Sequence, residues 1–244
     1  MIIVLKKKTI KLIMLIILIL ALAIGVGINY AHAFLPQDAF VVVLDAGHGG
    51  RDNGVIGVES KMKEKELNLI VTMLVKKELE KADIKVILTR ESDEGLYGDV
   101  KKNFKKADMQ KRKEIINDAK PDAVVSIHTN KFPTDSKRRG AQVFYEQMSE
   151  NSKELAQSLQ SSLNMLNKQY AQRKFTELKG DYYILKCSKY ASAIVEIGFM
   201  SCPEEDRLLQ QDDYRKKLAY QIASGIIGYL SLNTNFNNFA NAVY

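Results

Sequence analysis

From Phe40 onward, short apolar runs alternate with stretches of helical periodicity, the pattern of an α/β domain whose central sheet is largely parallel. The runs Phe40–Leu44, Lys85–Thr89, Ala123–Ile127, Gln142–Tyr145, Tyr182–Leu185 and Ala193–Ile197 predict strands. Between the first two, Leu67, Ile70, Val71, Leu74, Val75 and Leu79 recur at the spacing of one helical face. Leu155, Leu159, Leu163 and Leu166 mark a second helix, and a third is expected from about Asp213 to Leu230, with Gly225 and Gly228 weakening its last turns. The expected architecture is a single domain: a mostly parallel twisted sheet of about six strands, flanked by helices on both faces. Glu91–Lys106 is polar and contains glycine, so it reads as a long loop or a poorly packed insertion with solvated lysines. The Asn-rich tail from Asn233 is expected to fray.

Upstream of this pattern, Leu12 to Ile28 carries no charged or strongly polar side chain and follows Lys6, Lys7, Lys8 and Lys11. A basic start before an apolar run is an export leader, and residues 1–33 read as a signal peptide or a membrane anchor. Ala31-His32-Ala33 offers the small-x-small pattern that a signal peptidase cuts after. A buried core helix fits poorly, because every face of the run is apolar. The folded domain is therefore placed at residues 34–244, with its core at 40–230, and contact with a membrane is expected only through the leader.

The formal charge of +7 shrinks to about +3 once the four leader lysines are set aside, which leaves no electrostatic footprint for nucleic acid. Cys187 and Cys202 are too few for a disulfide framework and lack CxxC spacing. They read as two buried thiols, with a single disulfide left open.

Candidate chemistry begins at Asp45-Ala46-Gly47-His48-Gly49-Gly50, where glycines around one histidine let the chain turn sharply after a strand. His128 follows the strand Ala123–Ile127, so both histidines sit at strand carboxyl ends, where open α/β sheets place their sites. His32, the remaining histidine, lies in the leader. With Leu67 at zero and a step of about 100° per residue, Glu64 falls at about 60°, close to the apolar stripe, and Glu66 at about 260°, facing water. A carboxylate on the buried side of a helix is costly to desolvate unless a cation meets it. Its alternative role is charge stabilisation of the helix start. His48, Glu64 and His128, with one position left for water, make the ligand set of a hydrolytic zinc site holding one Zn²⁺. Glu196 alternates with Val195 and Ile197 in an apolar strand, sharing a face with Ile194 and Gly198 while Phe199 takes the other face. Desolvation there suits a general base, with a structural salt bridge to Arg90 as the alternative. Arg51, Arg90 and Asn130 lie near these residues without an assignable role.

The motifs LDAGHGG, MKEKELNL, ILTRESDEG, VVSIHTN, GAQVFYE and VEIGFMSCPEEDRLL occur in this order, and together the stretch from Phe40 to Leu230 resembles the zinc-dependent N-acetylmuramoyl-L-alanine amidases. The resemblance implies an α/β fold around a mostly parallel sheet, zinc held by His48, Glu64 and His128, and a catalytic Glu196. It also implies cleavage of the bond between the muramic lactyl group and L-alanine in peptidoglycan. The compact layout, the leader and Gly180-Asp181-Tyr182-Tyr183-Ile184-Leu185-Lys186 are most similar to the germination-specific amidases of spore formers. This implies work on spore cortex, toward muramic δ-lactam, in the space between the spore membranes. Some relatives need an activator protein. Cys202 departs from the Asn that many relatives carry. Two other readings use the same residues: a zinc peptidase cutting within the stem peptide, and a wall-binding protein with an inactive site.

Overall fold

The computed structural model describes the backbone of residues 40–243 and the side chains of residues 40–232; the leader expectation lies outside the described residues. In chain order the elements are β1 (Val41–Ala46), α1 (Glu64–Glu80), β2 (Lys85–Leu88), α2 (Phe104–Ala119), β3 (Ala123–Asn130), β4 (Gln142–Tyr145), α3 (Glu150–Leu166), β5 (Leu178–Lys179), α4 (Tyr183–Lys186), β6 (Ser192–Phe199), α5 (Pro203–Leu209) and α6 (Asp212–Val243). They form a six-stranded sheet in the order β2-β1-β3-β6-β4-β5. The pairs β1·β2, β1·β3 and β3·β6 are parallel, β4 runs antiparallel to β6, and β5 is parallel to β4. From β1 the chain crosses first to β2 on one side and then to β3 on the other. The crevice between the carboxyl ends of β1 and β3 is thus the topological switch point, where such sheets bind ligands.

Alternation along the strands feeds two apolar layers. On one face Val42, Leu44, Val125, Ile127, Val195 and Ile197 pack with Leu67, Val71, Val75 and Leu79 of α1, Leu155 and Leu159 of α3, and Ile222 and Ile226 of α6. On the other, Val43, Val124 and Ile194 meet Ile116 of α2 and Ile184 and Leu185 of α4. Burying each such side chain contributes roughly 1.5–3 kcal/mol before conformational entropy is counted. Gly225, which lowers the helical propensity of α6, sits where a Cβ would lie 2.7 Å from the Leu159 Cα, so the glycine lets α6 and α3 approach closely.

The structure departs from the sequence reading at several places. Tyr182–Leu185 is not a strand: Tyr183–Lys186 forms the single-turn helix α4. An apolar run of four residues fits either element, and here Ile184 and Leu185 point together into the smaller core. The segment after β2 is tied down rather than loose. Its Tyr97 hydroxyl accepts from Arg51 N at 2.6 Å, Lys105 pairs with Asp52 at 3.0 Å, and its last residues open α2, a helix absent from the sequence reading. The terminal helix does not end near Leu230: its backbone is helical to Val243. Finally, β3 runs on to Asn130, so His128 lies inside the strand rather than after it. Cys187 and Cys202 are both buried and free, as the default reading had them.

Candidate active site

At the switch point the loop after β1 and the end of β3 bring two imidazoles together, their ring centroids 4.9 Å apart in an edge-on arrangement. Glu64, the first residue of α1, is 2% exposed, so the predicted inward direction holds. Its Oε1 lies 3.1 Å from His48 Nε2 and 3.2 Å from His128 Nδ1. One ligand atom from each residue falls within 4.8 Å of the others. Ligands at about 2.0–2.1 Å from a tetrahedral zinc are separated by roughly 3.3 Å, so the donor set fits a single small divalent ion.

The surroundings hold these donors in place. Glu64 Oε2 accepts from Val55 N at 2.8 Å, and Oε1 also accepts from Thr129 N at 3.0 Å and Asn68 Nδ2 at 3.3 Å. His48 Nδ1 faces Asp52 Oδ2 at 3.0 Å, an outer partner that fixes the tautomer and leaves Nε2 free as a ligand. Burial alone would lower the His48 pKa, but the hydrogen bonds and charges of Glu64 and Asp52 raise it. Burial alone would raise the Glu64 pKa, and the neighbouring His128 and His48 hold it well below the usual carboxylate range.

His48 adopts φ 66°, the left-handed region that disfavours a side chain and costs of order 1–3 kcal/mol. Two buried arginines stabilise the turn. Arg112 of α2 donates to the carbonyls of Ala46 at 2.9 Å and His48 at 2.6 Å, and Arg90 donates to those of Ala46 at 2.9 Å and Gly47 at 3.0 Å. Arg112 also pairs with Asp45 and, at 2.7 Å, with Asp108. Asp45 accepts in addition from Ser126 and Thr89. Burial alone would raise the Asp45 pKa; the Arg112 charge and these hydroxyls instead hold it at about 2. Arg90 is therefore bonded to the loop and not to Glu196, which removes the salt-bridge alternative for the glutamate. Arg51 plays a related part: its guanidinium stacks on Tyr97 and Phe104, each 4.6 Å away, and straps the post-β2 loop to the site loop.

Gly47 leaves the space that His128 fills, since a Cβ there would lie 2.3 Å from the imidazole. Gly47→Ala should displace the ring and lower metal affinity by one to two orders of magnitude, the scale of losing ligand orientation. Metal titration of the purified variant reads this directly, and wild-type affinity would refute it.

Glu196 stands opposite His128 in the β3·β6 register. It lines a cleft with His48, His128, Tyr97, Phe104, Tyr182 and Tyr183, and its Oε2 is buried without a hydrogen-bond partner among the described residues. Burial pushes its pKa up to about 7; the His128 and His48 imidazoles oppose the shift and the Glu64 carboxylate adds to it. A carboxyl poised near neutrality, with a free oxygen aimed into a cleft, can exchange a proton with a bound molecule. Sequence reasoning missed Asp52, Asp108, Arg112 and Tyr97. Only the Asp45 carboxylate at the end of an apolar strand signals that a buried cation must face it. Cys202 occupies the N-cap of α5 and makes no side-chain cap bond; an Asn there is a favoured cap.

A cleft of this kind, at the carboxyl edge of a parallel sheet with a donor triad beside an ionisable carboxyl, is the site of an α/β enzyme. The chain belongs to the N-acetylmuramoyl-L-alanine amidase family, whose profile matches residues 42–228. It is 34% identical over 200 residues to the germination-specific N-acetylmuramoyl-L-alanine amidase of Bacillus subtilis, covering 81% of this chain and 82% of that one. Among solved structures it resembles the CwlD amidase from Clostridioides difficile in complex with the GerS lipoprotein, with 36% identity, a TM-score of 0.73, and coverage of 79% of this chain and 99% of that one. It also resembles an N-acetylmuramoyl-L-alanine amidase from Clostridium difficile 630, with 28% identity, a TM-score of 0.69, and coverage of 80% and 98%. The α/β fold with a mostly parallel sheet and the family read from the sequence are thus both found.

Proposed function

We propose that His48, Glu64 and His128 hold one zinc ion and that Glu196 is the catalytic carboxylate in hydrolysis of the bond between the muramic lactyl carbonyl and L-alanine. The convergence of one imidazole nitrogen from each histidine on Glu64 Oε1, at 3.1 and 3.2 Å, carries this reading. A divalent ion held there supplies Lewis acidity, acidifying water and polarising the amide carbonyl. Glu196, unpartnered at Oε2, takes the proton of the attacking water and returns it to the departing alanine nitrogen. Asp52 keeps the His48 ring in one tautomer, and the Arg112 and Arg90 bonds keep its loop from relaxing.

The likeness to germination-specific amidases supports spore cortex as the substrate, with muramic δ-lactam as the downstream product. The apolar leader supports export, with residues 1–33 as signal peptide or anchor, residues 34–244 as the catalytic domain, and action in the space between the spore membranes. The relative solved together with a lipoprotein supports an activator partner here.

Mass spectrometry of peptidoglycan digested by the purified protein tests the reaction. Intact glycan with free L-alanine amino termini is expected, zinc chelation should stop it, and cuts within the stem peptide would contradict it. The acidic limb of kcat/KM should lie between the ordinary carboxylate value and about 7, because a bound cation draws the Glu196 pKa down from its buried value. Activity is expected to rise with pH through this limb, since the base works only when ionised.

A further inference from the structure

The loop joining β3 to β4 holds a cation that the reaction has not used. Arg138 is partly buried, and its guanidinium stacks 4.4 Å from the Phe132 ring and 5.4 Å from the Phe199 ring. Its Nε is buried without a hydrogen-bond partner, and among the described residues no carboxylate pairs with it. Its neighbour Arg139, by contrast, is engaged by Glu204 at 3.1 Å. A guanidinium packed against two rings has less rotamer freedom left to lose, and its donors form a rigid fork suited to a carboxylate.

The strand geometry sets Phe199, one of these two rings, just past Glu196 on the same strand. His128 pairs with Glu196 and Asn130 pairs with Phe199, so two steps along β3 match three along β6, with Gly198 at φ 157° in the irregularity. Such a bulge re-aims the side chains after it. Phe199 therefore shares the face of Glu196 rather than that of Val195 and Ile197, as alternation alone predicted, and Met200 takes its place in the larger core. Asn130 is two residues past His128, about 7 Å along the strand. A stem peptide leaving the scissile nitrogen covers about 3.5 Å per residue, so the side group of its second residue reaches about the same distance.

We infer that Arg138, packed against Phe132 and Phe199, binds the free α-carboxylate of the γ-linked D-glutamate that follows L-alanine, and so selects stem peptides by charge. The inference rests on the amidase reading above. It is tested with two preparations of peptidoglycan differing only in whether this glutamate group is a carboxylate or a carboxamide. Wild type should favour the carboxylate by roughly 10- to 100-fold in kcat/KM, the worth of a charge-assisted pair. In Arg138→Met that ratio should collapse toward one, and in Arg138→Lys it should be partly restored. A wild-type ratio near one, or equal losses on both substrates in Arg138→Met, would overturn the assignment and leave the residue a packing role. Titration of the two free peptides, followed by NMR shifts of the Arg138 side chain, decides the site independently of turnover. Hydrolysis of neither substrate alongside a selective shift would sink the amidase reading while sparing the carboxylate site.

Discussion

Glu196→Gln is expected to lower kcat by about 10²–10⁴-fold, the usual worth of a positioned general acid–base group, while leaving the zinc content and melting temperature of the protein as in wild type. The amide keeps the shape of the side chain but neither takes up nor returns the proton. It also removes a buried carboxyl that folding must desolvate, since Oε2 has no partner and burial pushes the pKa up to about 7. The variant should therefore be no less stable than wild type. Metal analysis, calorimetry and rate assays on one preparation separate the alternatives. Loss of zinc in parallel with rate would make Glu196 a ligand, and retained rate would remove it from the chemistry.

The second large effect is expected beneath the site. Arg112 is 0% exposed and serves Asp45, Asp108 and the carbonyls of Ala46 and His48 at once. Arg112→Met leaves Asp45 ionised and uncompensated in the core, which costs about 3–5 kcal/mol and should lower the melting midpoint by on the order of 10 °C for a domain of this size. The pH dependence follows from the same pair. Asp45 is held at about 2, below its ordinary 3.8, so its contribution is complete above that ordinary value and is lost as pH falls toward about 2. In the variant, burial without the Arg112 charge pushes the Asp45 carboxyl up instead, so the stability gap to wild type should narrow as pH falls and the carboxyl is protonated. A midpoint within a degree or two of wild type would show that the network is not needed to hold the His48 turn.

Much of the frame was legible because its apolar spacing is undiluted. The spacing of Leu67, Val71, Val75 and Leu79 alone places α1 and thereby the direction of Glu64. The histidines were legible because each lies at or near the carboxyl end of a strand rich in β-branched residues, and parallel strands carry those ends to one edge. The helix α2 was not, because the side it turns inward carries Asp108 and Arg112 beside Ile116. A helix that buries ions reads as solvated until the partner, Asp45, is located across the sheet. The face of Phe199 was hidden for another reason: a bulge at Gly198 breaks the period-two rule on which the assignment depends. Tyr182–Leu185 failed as a strand because so short an apolar run carries no period at all.

Crystals of the zinc-loaded protein, measured on both sides of the zinc absorption edge, offer the most direct check. A single anomalous peak bonded to His48 Nε2, His128 Nδ1 and Glu64 Oε1, with Glu196 outside bonding distance, is the expected result. A stoichiometric peak at any other residues, or one that includes Glu196 as a ligand, would contradict the assignment of three holders and one proton carrier.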